Sequence, residues 1–306
     1  MYTISSSADV FLSSLNTLEQ RMLNDNRQVS SGLRVQTVAD DPTAVNDILE
    51  LNSQIGSNTQ IGQNLNIVQT EVNTAESAIN SATQLMDMAS QLAAQGATGT
   101  SGTATRQQLA TQVSGLLQQM QGLANTQVEG RYVFSGSSDQ TAPYGALDLA
   151  TNTTNGVGAY LGTASTRAVQ GPEGSSISIG LTAQQIFDGG TAGTPATSVF
   201  QSLTELYNGL TADNQSSIEQ AASDITSSVT YLNTQQASYG AIQQTVAAAM
   251  DQQSSLNTNF QSELSAIQDV DSATAITNLQ QDTTTEQAAM AAYSSLPKKS
   301  LFDYLG

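Results

Sequence analysis

The sequence predicts a mainly α fold, a long helical rod in which the N- and C-terminal halves form a coiled-coil-like bundle, with a small inserted β domain. Three observations carry this reading. Both chain ends carry an apolar stripe at helical spacing, with steps of three, four and seven along the N-terminal one, as a helix burying one face requires. The same rhythm runs through residues 43–95 and again through residues 214–267, the latter without an internal proline. Between them, over residues 125–190, it gives way to Gly, Ser, Asp and Pro separating short β-type runs. A hydrophobic fraction of 38% with only 5% aromatic residues argues for helices rich in Ala and Leu over an aromatic-rich core.

From the N-terminus the first seam reads Ile4, Phe11, Leu15, Leu18, Met22, Val29 and Leu33, with Ser, Asn, Gln and Thr on the other faces. A matching stripe near the C-terminus runs through Ile267, Val270, Ile276 and Leu279, then Met290, Tyr293, Leu296 and Leu301, and ends in Phe302, Tyr304 and Leu305. The two stripes suit one another, yet together they offer little apolar area for the backbone entropy they must offset. Both ends are therefore expected to become ordered when neighbouring copies supply more surface.

Next, SSGLRVQTVADDPTAV (residues 30–45) closes the first helix at Ser-Ser-Gly and opens another at Asp40, Asp41 and Pro42, an Asp N-cap with Pro at the first helical position. Paired carboxylates in that context are caps, not acid–base groups. Arg34 is expected to pair with Asp40 or Asp41 at this joint. The long helix that follows has Ile48, Leu51, Ile55, Ile61, Leu65, Val68, Val72, Ala75, Ile79, Ala82, Met86 and Ala89 on its seam, with one irregularity near Asn58. Its small residues, Gly62 among them, let another helix approach closely. GATGTSGT (residues 96–103) lacks the Gly-Lys-Ser/Thr ending of a phosphate loop and reads as a turn into an antiparallel helix carrying Leu109, Val113, Leu116, Met120 and Leu123.

In the interrupted region Tyr132, Val133 and Phe134 form a short β run, and SISIGL predicts a half-buried strand over residues 178–181 with Ile177, Ile179 and Leu181 inward. Residues 189–198 return the chain to helix through a flexible link. Phe200, Leu203, Tyr207 and Leu210 make a short helix, and Asp213 or Asn214 caps the last long one. DVDSATAITNLQ (residues 269–280) is not a calcium loop: Thr274 stands where Gly is needed and Gln280 where a bidentate Glu is needed.

Composition removes several function classes. With 8 Lys and Arg against 26 Asp and Glu, a net charge of −18 leaves no basic stripe for nucleic acid or for an anionic membrane. The chain has no Cys, His or Trp, so the usual zinc ligands, Cys nucleophiles and Ser-His arrangements are absent, and no cofactor is expected. Asp139, Asp148, Glu173 and Asp188 show no spacing that supports a two-carboxylate hydrolase. MYTISSSADVFL lacks the basic stretch and apolar core of a cleavable signal peptide, and no apolar run is long enough for membrane insertion, so export is expected to use another route.

Together these features resemble the bacterial flagellin family. Residues 30–45 are similar to the signature joining that family's N-terminal helix to its rod, and DVDSATAITNLQQDTTTEQAAMAAYSSLPKKSLFDYLG (residues 269–306) is similar to its terminal helix. LANTQVEGRYVFSGSSDQTAPY (residues 123–144) and the ending SLFDYL resemble the hook-filament junction subgroup more than a filament flagellin. The resemblance implies type III export, assembly beneath a cap at the end of the hook, and no catalysis. Implied partners are further copies of the chain in a ring or short helical layer, an inner hook-associated protein, flagellin and an export chaperone. A filament flagellin is the alternative within the family. A secreted adhesion or binding module, with the β domain active and the helices as a stalk, is the alternative outside it. Family members recognised by an innate immune receptor carry arginines before a segment like LAAQG (residues 92–96); Met88 and Ser90 stand there instead, so receptor recognition is not expected.

The expected organisation is a terminal coiled-coil assembly domain of residues 1–34 with 272–306, a helical rod domain of 35–130 with 200–271, and a β-rich outer domain with linker over 131–199. The expected assembly interface is Phe11, Leu15, Leu18, Met22, Ile276, Leu279, Tyr293 and Leu301.

Overall fold

The computed structural model describes residues 3–190 and 197–295. It is mainly α, with helices α1 (Thr3–Ser31), α2 (Pro42–Ala97), α3 (Thr103–Ala124), α4 (Ala183–Phe187), α5 (Val199–Thr211), α6 (Gln215–Gln268) and α7 (Ser272–Ser295). Between α3 and α4 lie two small antiparallel pairs: β1 (Gln127–Val128) with β2 (Arg131–Tyr132), and β3 (Ala168–Gln170) with β4 (Ser176–Ser178). The chain divides into two compact units, one formed by the described residues up to Ser57 and from Leu256, the other by Asn58–Ser255.

In the larger unit the seam of α2 is buried as its spacing requires. Leu65, Val68, Val72, Ala75, Ile79, Ala82, Met86 and Ala89 all belong to one core with Ile218, Ala221, Ile225, Leu232, Tyr239 and Val246 of α6. The irregularity near Asn58 does not break the helix, because that side chain has a partner. The buried Asn58 Nδ2 donates to the carbonyl of Gln253 at 2.8 Å, and Gln253 Nε2 donates to the carbonyl of Asn58 at 3.0 Å. One turn on, Gly62 leaves room for this bridge, since a Cβ there would lie 2.9 Å from Gln253 Cδ. Asn214, not Asp213, begins α6, its Oδ1 accepting the amide of Ser217 at 3.3 Å. Asp213 instead accepts Thr103 Oγ1 at 2.7 Å and pairs with the buried Arg106, tying the start of α3 to the start of α6.

The inserted region shares the helices' core. Phe134, Tyr144, Val157, Ile177, Ile186 and Phe187 belong to the same cluster as the α2 and α6 seams. Although aromatic residues are scarce, they concentrate here: Tyr144 meets Phe200 of α5 at 4.9 Å between centroids, and Phe134 lies edge-on to Phe187 at 5.8 Å and to Tyr239 at 6.4 Å. The strand expected over residues 178–181 lies earlier, at Ser176–Ser178, with the buried Ile177 opposite Val169. The Leu181 amide donates to the Tyr239 hydroxyl at 3.1 Å, and Thr182 forms a capping box with Gln185 that starts α4, so the chain leaves the ladder. Glu129 and Gly130 both have positive φ (51° and 78°), the geometry of a two-residue hairpin turn between β1 and β2.

Candidate assembly interface on the terminal helices

In the smaller unit α1 packs on α7 in antiparallel register. Phe11 stacks on Tyr293 with centroids 4.4 Å apart and planes 9° from parallel, Arg21 lies 3.6 Å from Asp282, and Leu33 bridges Asp269. Partner numbers fall along α7 as they rise along α1.

Of the residues expected at the interface, Leu18 is buried and Phe11, Leu15, Met22 and Leu279 are half-buried. Ile276 and Tyr293 remain 43% and 41% exposed. Leu301 lies outside the described residues. The packing of the pair thus consumes only part of its apolar surface. Periodicity alone missed Val10, Leu12 and Leu23, all well exposed and off the seam. The available signal was the eleven-residue spacing of Leu12 and Leu23, about three helical turns, which puts them on one flank of α1.

The two ends of the unit are held at a joint. Gly32, at φ 75°, turns the chain out of α1, and its carbonyl accepts the amide of Val270 at 2.9 Å. The Arg34 amide donates to the Gln268 carbonyl at 2.7 Å, and its Nη2 donates to the Ile267 carbonyl at 2.7 Å. Nη1 also pairs with Asp41 at 3.3 Å, selecting that residue over Asp40. Beneath this, Val35, Ala44 and Ile48 form a small buried cluster against Leu264 and Ile267.

Asp41 is the cap expected before Pro42: its Oδ1 accepts Thr43 Oγ1 at 2.8 Å and the Ala44 amide at 3.2 Å. These bonds, led by Thr43, hold its carboxyl below the usual carboxylate range. Asp40 closes the preceding loop by accepting the Thr37 and Gln36 amides at 2.8 and 3.1 Å, which likewise lower its pKa. Asp271 caps α7 through the amides of Ala273 and Thr274 at 3.0 and 3.4 Å. On the seam itself, burial and then the neighbouring Asp282 raise the pKa of Asp25. Among the described residues no group of three His, Cys, Asp or Glu side chains could hold a metal, and no helix is long and apolar enough to cross a membrane.

Residues 5–139 match the bacterial flagellin N-terminal helical region, and residues 222–305 match the bacterial flagellin C-terminal helical region. The chain belongs to the bacterial flagellin family. Among its curated relatives is the flagellar hook-associated protein 3 of Escherichia coli K12, 29% identical over 162 residues, which are 53% of this chain and 48% of that protein. The protein of the same name from Salmonella typhimurium is 26% identical over 178 residues, 58% of this chain and 53% of that one. The chain thus matches about half the length of these relatives. Two solved structures share the fold. The flagellar hook associated protein-3 of Legionella pneumophila superimposes with a TM-score of 0.62 at 14% identity, covering 72% of this chain and 98% of that one. FlgL of Xanthomonas campestris superimposes with a TM-score of 0.59 at 18% identity, covering 70% and 99%.

Proposed function

We propose that this chain is a structural subunit of the bacterial flagellum that joins the hook to the flagellin filament. The observation that carries the reading is the α1–α7 pair, a helix pair that leaves Ile276, Tyr293, Leu12 and Leu23 in solvent. Exposed apolar side chains in such number on one helix pair point to burial against other subunits. The names of the relatives, flagellar hook-associated protein 3, support the junction role over that of a filament flagellin. In this reading Phe11, Leu15, Leu18, Met22, Ile276, Leu279, Tyr293 and Leu301 pack between neighbouring copies. The partners are further copies, an inner hook-associated protein, flagellin and an export chaperone. The chain reaches the flagellum by the flagellar export route and works there without catalysis. Residues 1–34 with 272–306 form the assembly domain, 35–130 with 200–271 the helical rod domain, and 131–199 the outer β-rich domain.

Seeded assembly tests this. Purified full-length chain is mixed with hook fragments capped by the inner hook-associated protein, and separately with filament fragments, and the ends are imaged. One short bounded layer on the capped hooks, lost when residues 1–34 are removed, is the expected result. Long filaments growing from filament seeds would instead make the chain a flagellin, and extension of neither seed would overturn both readings.

A further inference from the structure

The smaller unit carries two open clefts of opposite charge. One, of about 730 Å³, is lined by Arg21, Leu23, Asn24 and Arg27 of α1 with Asp40 of the joint. The other, of about 410 Å³, is lined by Asp47, Glu50 and Gln54 of α2 and Glu263 of α6 around Leu51 and Ile267. They have no residue in common, so one molecule can use both at once.

The chain's cations are few, and most described ones are committed. Arg106 pairs with Asp213, Arg131 and Arg167 share Asp139, Arg167 also holds the buried Glu71, and Arg34 is anchored at the joint. Arg21 and Arg27 differ. Their side chains are the most exposed of the paired arginines, at 62% and 54%; Arg21 meets Asp282 at 3.6 Å, and Arg27 meets Asp40 at 4.0 Å and donates to Asn24 Oδ1 at 2.9 Å. A guanidinium with this much of its surface in solvent has five N–H donors and keeps some of them free for a further acceptor. Between the two arginines Leu23 is 67% exposed. In the acidic cleft, none of Asp47, Glu50 and Glu263 has an ion-pair partner among the described residues, and the cleft offers apolar atoms of Leu51 and Ile267 besides its carboxylates.

Copies of a chain with net charge −18 repel one another, so a contact between them is favoured where it sets the most exposed cations of one against acids of the next. We propose that the Arg21, Leu23 and Arg27 surface of one copy docks into the Asp47, Glu50 and Glu263 cleft of the next. The inference rests on the reading that the chain assembles with its own copies and names where they touch. Because the two surfaces differ, the contact is head-to-tail, the kind that closes into a ring or, where the rotation does not close, continues as a helical layer.

Two charge-reversed full-length variants test it: R21E/R27E, and E50R/E263R. All four positions are exposed, and circular dichroism verifies that each variant folds. Sedimentation should show each variant alone associating with itself at least about tenfold more weakly than wild type. Mixed in equal amounts they should regain association, since each then meets an opposite charge. In a second arm, Leu23→Cys and Gln54→Cys are placed in one chain that otherwise has no cysteine, and mild oxidation should yield a ladder of covalent multimers. Folded variants that associate as well as wild type, a mixture that stays dissociated, or assembling Cys variants that give no ladder would each overturn the docking. Wild type that does not associate at any concentration would overturn the self-assembly reading, and this contact with it.

Discussion

Tyr144 and Asp188 show how a single buried hydroxyl can govern a carboxylate. The Tyr144 hydroxyl donates to Asp188 Oδ2 at 2.6 Å, while Oδ1 is out of solvent with no hydrogen-bond partner. Burial raises the pKa of Asp188, and the bond from Tyr144 opposes that rise; burial followed by the charge of Asp188 pushes the tyrosine pKa upward. A carboxyl whose folded pKa lies above its unfolded value binds more protons when folded, so this group's contribution to stability falls as pH rises through that window. Tyr144→Phe removes the opposing bond and leaves the carboxylate without a donor, a loss of roughly 1–3 kcal/mol at neutral pH. Thermal unfolding of mutant and wild type should therefore differ more at pH 7 than in acid, once pH has fallen through the raised pKa of Asp188 and the carboxyl is protonated. A difference independent of pH would mean that the carboxylate is not the group affected. Gly96 sets a second expectation. A Cβ there would stand 2.5 Å from Cδ2 of the fully buried Leu210, so Gly96→Ala should destabilise by about 1–3 kcal/mol of overpacking, reduced by about 1 kcal/mol of helix propensity. Chemical denaturation of the pair checks the sign.

Between α1 and α2, the joint is an element whose capping was legible and whose partners were not. Asp41 before Pro42, with apolar periodicity following, is a sequence signal for a helix start, and the structure has that cap. That Arg34 also reaches the Ile267 carbonyl depends on residues 233 positions away, which local pattern does not encode. The Asn58 and Gln253 bridge was hidden for the same reason, and appeared only as an irregularity in the seam. Likewise the strand near Ile177 was placed late because alternation cannot reveal that Tyr239 and a capping box claim the backbone after it. The cap at Asp41 carries its own expectation. Its folded pKa is lowered, so its stabilisation is present above the unfolded value near 3.8 and is lost as pH falls through the folded pKa. Asp41→Asn keeps an acceptor for the Thr43 and Ala44 amides but removes the titrating charge. Amide exchange at those positions should depend less on acidification below pH 4 in Asp41→Asn than in wild type, after correction for intrinsic exchange rates.

At the scale of the whole molecule, the long helices were legible because each repeats one signal many times, and α2 and α6 bury the seams that their spacing defines. The packing of α1 on α7 was legible in part: the spacing found the buried Leu18 and the stacked Phe11 and Tyr293, but not the exposed flank of Leu12 and Leu23, which lies off the periodic stripe. That partition has an energetic consequence within each unit. The larger one buries a continuous core from Leu65 through Ala249, whereas along α1 and α7 only Leu18 and Ala275 are buried apolar residues among those described. Local opening free energy follows buried apolar contact, so the α1 and α7 amides should exchange at least about tenfold faster than those of α2 between Leu65 and Ala93 in the free chain. On assembly, neighbouring copies would cover the exposed side chains, and exchange in α1 and α7 should slow toward that of the core. Hydrogen exchange followed by mass spectrometry, on free and assembled protein, reads both steps. Equal protection of all these helices in the free chain would make the terminal stripes a sufficient core by themselves, and their exposed residues would then need another explanation than partner subunits.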